Sequence, residues 1–86
     1  VLSRQLLRSG TSVGAMLKES EHAQSKSDFI NKLSIALKEA NEAEYWILLL
    51  HETEYISGIE YRSIVKDCQE IVRLLIAIIK TSKQNI

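Results

Sequence analysis

Phe29, Leu33, Ala36, Ala40, Ala43, Ile47 and Leu50 follow one another at alternating steps of four and three residues. That is an unbroken heptad seam, and it dictates a long amphipathic helix packed along its whole length. A second stripe, Ile30, Leu37 and Leu48, runs beside it, and Ile35, Trp46 and Leu49 occupy a third side. Tyr45 to Leu50 carries no charge, so this stretch is apolar nearly all round and needs cover on more than one side. The spacing predicts a helix from about Asp28 to Tyr55.

The flanking segments carry the same periodicity. Residues 2–22 place Leu2, Leu6, Val13 and Leu17 on one helical face. Gly10 and Gly14 lie four apart among Ser9, Thr11, Ser12 and Ala15. The pair suits close approach of another helix backbone, or else marks a kink at Gly10. Residues 23–27 form a polar joint in which Ser25, three before Asp28, and Ser27 are rival N-caps. Ser57 and Glu60 read as a capping box for a third helix, with Ile56 and Tyr61 placed as its hydrophobic staple. That helix runs from about Gly58 to Lys83. Its first seam is Ile64, Cys68, Ile71, Leu75 and Ile78, and its second is Val65, Val72, Ile76 and Ile79.

There is no proline and there are three glycines in 86 residues, which favours uninterrupted helices. Short joints make consecutive helices antiparallel. The fold class expected is therefore all-α, an antiparallel up-down helical bundle, as a single domain over residues 1–86. A chain this short buries only about 60–65% of the surface its unfolded form exposes. Two adjacent seams on the third helix make a face wider than one partner helix covers. Self-association follows, with Trp46, Leu49, Leu50, Val72, Ile76 and Ile79 as the expected oligomer interface. Val1 to Leu7 reads as the inside of a helix, so an upstream piece is expected.

No catalytic, cofactor-binding or metal-binding set emerges. His51 and Glu54 are three apart, with Glu44 two turns earlier, but a bundle metal site needs Glu-x-x-His motifs from two helices. Cys68 is the single cysteine, which excludes an internal disulfide and is compatible with a reducing cytoplasm. Nothing around it favours a thiolate, since Asp67 and Glu70 oppose one. "GTSVG" lacks the lysine of a P-loop. The apolar runs Tyr45–Leu50 and Leu74–Ile79 are far shorter than the ~20 residues that span a bilayer.

Charge balances at eleven against eleven, yet it is segregated. Glu39 to Glu60 holds six acids and no lysine or arginine, whereas the first eighteen and last fourteen residues hold bases and no acid. Arg4, Arg8, Lys26, Lys32, Lys80 and Lys83 are the candidate nucleic-acid contacts, gathered into a basic rim if copies assemble. The same residues also read as solvated helix ends, where the dipole favours cations near C-termini.

Nearly the whole chain, Arg4 to Leu50 foremost, resembles the bacterial four-helix-bundle proteins first recognised in intervening sequences of large-subunit ribosomal RNA genes. The residues that carry the resemblance are Gly10-Thr11-Ser12-Val13-Gly14-Ala15, Asp28-Phe29-Ile30, Leu33-Ser34-Ile35-Ala36-Leu37, and Glu39-Ala40-Asn41-Glu42 leading to Tyr45-Trp46. The resemblance implies a further N-terminal helix, no enzymatic activity and no cofactor, and a homo-oligomeric ring, often a pentamer. A similar bundle is the nucleic-acid-binding accessory subunit of diversity-generating retroelement reverse transcriptases, so RNA or DNA is the implied second partner. Met16 stands where members commonly carry asparagine, while Glu19 matches the acidic position that follows. That departure bears on whatever polar contact the asparagine makes.

Overall fold

The structure, a computed structural model, describes residues 2–84. The expectation for Val1 lies outside them, as does the side chain of Leu2. Three helices follow in order, α1 (Leu2–Ser20), α2 (Lys26–Glu52) and α3 (Gly58–Gln84). No strand occurs among the described residues.

Each boundary has a local cause. Ser25 caps α2, its hydroxyl accepting the Asp28 N–H at 3.0 Å, so this helix begins at Lys26 rather than Asp28. Asp28 accepts the Gln24 N–H at 3.3 Å, which leaves Ser27 inside the first turn. At the other end α2 stops at Glu52, three residues before the expected Tyr55. The Tyr55 N–H donates to the Leu50 carbonyl and the Glu54 N–H to the His51 carbonyl, a Schellman closure. Glu54 sits at the left-handed position with φ 64°, where glycine is usual. α1 runs through Gly10 without a break. Nothing lies within 4 Å of where a Cβ would stand at Gly10 or Gly14, so no helix of this chain approaches closely there.

The start of α3 is the expected reciprocal box. The Glu60 N–H donates to Ser57 Oγ at 3.1 Å, and the Ser57 N–H donates to Glu60 Oε1 at 2.9 Å. Those bonds to Ser57, the backbone one foremost, hold the Glu60 carboxyl below its ordinary range. A carboxyl with a lowered folded-state pKa stabilises the fold above its unfolded value, and that contribution is lost as pH falls through the lowered one. Ser57→Ala should cost about 1 kcal/mol in a urea melt at neutral pH. Glu60→Gln removes the carboxylate itself, and its difference from the parent should shrink as the pH is taken below the usual carboxylate range.

α2 is the central helix. Leu33, Ala36, Ala40, Ala43, Ile47 and Leu50, the predicted seam, are all buried, and Phe29 is half-buried. Val13 of α1 and Leu75 and Ile79 of α3 join Leu33, Ala36 and Ala40 in the core, with Met16, Phe29, Ile30, Leu37 and Val72 packed around them. α1 and α3 each pack on α2 but not on each other. The Cα framework measures 46 × 21 × 14 Å, and its width is that of helices set side by side at about 8–10 Å spacing. The bundle is an open, bent layer with α2 at the crease.

Candidate assembly surface

Because α1 and α3 do not meet, a trough runs between them over α2. One part is lined by Gly10 and Val13 of α1, Ala40, Ala43 and Ile47 of α2, and Ile64, Cys68 and Ile71 of α3. It continues past Ile71 to Leu17, Leu74, Leu75 and Ile78, with Asp67 and Glu70 on the α3 rim. From Ile64 to Ile78 the α3 wall is about 21 Å long at 1.5 Å per residue. Small side chains on the floor and a glycine on one wall leave room for a helix backbone.

The α3 residues facing this trough are widely exposed: Ile64 39%, Ile71 45%, Leu74 59% and Ile78 38%. Of the first seam of α3, only Leu75 is fully buried, and Ile79 of the second seam joins the core. Leu50 (5% exposed) and Ile79 (8%), both in the expected interface set, fill this chain's own interior and offer little open surface. Trp46, Leu49 and Val72 are half-buried, and Ile76, at 50%, is the member of the predicted set that is broadly exposed. Ile76 and Leu74 are two residues, about 200°, apart on α3. Ile76 therefore extends a second apolar flank, on the side away from the trough.

Trp46 is held in place by polar groups as well as packing. Its Nε1–H donates to Glu42 Oε1 at 3.3 Å, and its ring meets Tyr45 edge-on at 5.2 Å. Glu42 also pairs with Arg8, whose other guanidinium nitrogen lies 3.3 Å from Glu39 Oε2. The expected basic set therefore divides. Arg8 is engaged with two carboxylates of α2, and Arg4 stands one turn from it on the same helix. Lys26 and Lys32 begin α2, and Lys80 and Lys83 end α3, at the opposite end of the layer.

The candidate reactive groups are structural. Cys68 Sγ lies 3.4 Å from the Ala40 carbonyl and donates to it. Burial, followed by the charge of Glu44, pushes the Cys68 thiol up, away from a nucleophilic thiolate. The His51 ring stacks on Tyr61 with centroids 4.3 Å apart, and its buried Nδ1 has no hydrogen-bond partner among the described residues. Among the described residues no three His, Cys, Asp or Glu side chains are grouped to hold a metal ion. None of the described helices is long and apolar enough to cross a membrane.

Residues 1–77 match the family described as 23S rRNA-intervening sequence protein. The chain belongs to that family. Its fold is similar, at a TM-score of 0.91 and 64% identity, to the crystal structure of a protein of unknown function from the S23 ribosomal protein family of Bacteroides thetaiotaomicron. The match covers 93% of this chain and 71% of that one. No curated protein matches the chain. In this intervening-sequence family member, the Gly10–Ala15 stretch lies mid-way along α1 and borders the trough at Gly10 and Val13.

Proposed function

We propose that this chain is a non-enzymatic assembly module whose copies associate through the trough and the Ile76 flank. The observation that carries the reading is the row Ile64, Ile71, Leu74 and Ile78, left open beside a floor of small residues. Large contiguous apolar patches on a soluble surface mark interaction sites. A concave trough and a separate flank are two different patches, and a contact between unlike patches closes into a ring when its rotation permits. That geometry agrees with the pentameric ring the resemblance implies.

Association of folded copies stabilises them by mass action. The melting temperature should rise by about 3–5 °C for each tenfold increase in protein concentration. A melting temperature that stays flat over two decades of concentration would refute assembly.

A second reading is favoured by the lysines at one end. The antiparallel order sets the C-termini of α1 and α3 beside the N-terminus of α2, bringing Lys18, Lys32, Lys80 and Lys83 to one end. Repeated around an assembly, this end offers a polyanion such as RNA or DNA a basic rim whose binding weakens steeply with salt. Arg8, paired to Glu39 and Glu42, is not among the contacts proposed.

A further inference from the structure

The two most exposed large apolar side chains of the described residues are Tyr55 (76%) and Ile59 (75%), and both flank the α2–α3 turn. The turn fixes the backbone at Tyr55, since Glu54 is left-handed and the Tyr55 N–H is tied to the Leu50 carbonyl at 2.9 Å, and Ile59 lies in the first turn of α3. Around them stand Glu52, Glu54 and Glu60, with Arg62 as the nearby base. At the far end of the layer, between the C-terminus of α1 and the start of α2, is a hollow lined by Ala15, Lys18, Glu19, His22, Gln24, Asp28 and Lys32. The lining sets Glu19 and Asp28 beside Lys18 and Lys32, and Asp28 also accepts the Gln24 N–H. Lys18 and Lys32 form no ion pair among the described residues. Counted over that whole end, Lys18, Lys26, Lys32, Lys80 and Lys83 face Glu19, Glu21 and Asp28, five bases against three acids.

We propose that the tip docks into the hollow of a second copy, head to tail. Tyr55 is the knob, its ring set against Lys18 and Lys32, which attract an aromatic face. Glu52 and Glu54 meet the same lysines. The occupant is another copy because the chain itself carries the complementary surfaces: an acidic, apolar projection at one end, and at the other a hollow set in an end where lysines outnumber acids. A contact between unlike patches does not saturate in a pair, so the copies extend in one direction. Exposed charge pairs are individually weak and screened by salt, so this contact is salt-sensitive where trough association is not.

The test is sedimentation velocity of the full chain at low and high salt. Two charge-reversed variants are needed, Glu52→Lys with Glu54→Lys, and Lys18→Glu with Lys32→Glu. The wild type should show extended species at low ionic strength that disappear by about 0.5 M salt. Each variant alone should weaken end-to-end association at least about tenfold. An equimolar mixture of the two should restore it, since each then offers the surface the other lacks. Tyr55→Ser should weaken it with no change in charge. Extended species that persist at high salt or in both variants, or a mixture that fails to restore them, would overturn the proposal. Loss of RNA binding in the Lys18 and Lys32 variant, with association unchanged, would also overturn it and assign the hollow to a polyanion. A variant carrying Ile71→Glu and Ile78→Glu should lose trough association yet keep the salt-sensitive species, which separates failure of this contact from failure of the assembly reading.

Discussion

Leu75→Ala should lower the stability of the folded chain by about 3 kcal/mol, the cost of deleting a buried leucine where the surroundings cannot collapse. Leu75 is 2% exposed and clusters with Val13, Leu33, Ala36, Ala40 and Ile79. Among the described residues it is the most deeply buried side chain of α3, and with Val72 and Ile79 it anchors that helix on α2. For a domain of this size each kcal/mol moves the melting temperature by about 4–8 °C, so the shift should be about 12–24 °C. Ile59→Ala, at an outward position 75% exposed, should change stability by no more than about 0.5 kcal/mol. Urea melts of the two variants check the contrast. Equal losses would mean that α3 is not held where its burial says it is.

The Ile71→Glu, Ile78→Glu variant should have the opposite profile. Both side chains are already partly in water, at 45% and 38% exposure. Placing carboxylates there should therefore leave the helical spectrum intact and the fold of the single chain little changed. The same carboxylates, driven into an apolar trough on association, would be buried without partners. They would also lie beside the acids Asp67 and Glu70 of the rim. Interface residues of this kind cost roughly 1–2 kcal/mol each when lost, so association should weaken by about a hundredfold. The measurement is the concentration dependence of particle mass for variant and parent. An unchanged association constant would remove the trough from the interface.

The central helix was legible from its spacing because it is packed on two sides. Every seam residue from Leu33 to Leu50 is buried as predicted, since α1 and α3 both draw on that face. The capping box at Ser57 and Glu60 was equally legible, being a purely local signal. α3 was legible as a helix, expected over Gly58 to Lys83 and found over Gly58–Gln84, but its facing was not, because its two adjacent seams are equally apolar and periodicity alone does not say which one meets α2. The helix presents Val72, Leu75 and Ile79 to the core and leaves Ile64, Ile71 and Ile78 open. Ile79 was assigned outward for the same reason, whereas Leu50 belongs to the buried seam of α2. The trough depends on how α1 and α3, which are not consecutive, sit across α2, and no sequence period reports that. The left-handed Glu54 was hidden because the position usually announces itself with glycine. The bases were visible, but the facing of Arg8 to Glu39 and Glu42 was not.

The proposed assembly requires that other copies cover the apolar surface this layer of three helices leaves open. The most direct measurement is the mass of the particle in solution, by sedimentation velocity of the purified chain at micromolar concentration and moderate salt. The account predicts a discrete species several times the 9.8 kDa of one chain, which survives high salt. A single species of one-chain mass, folded and unchanged at rising concentration, would contradict it.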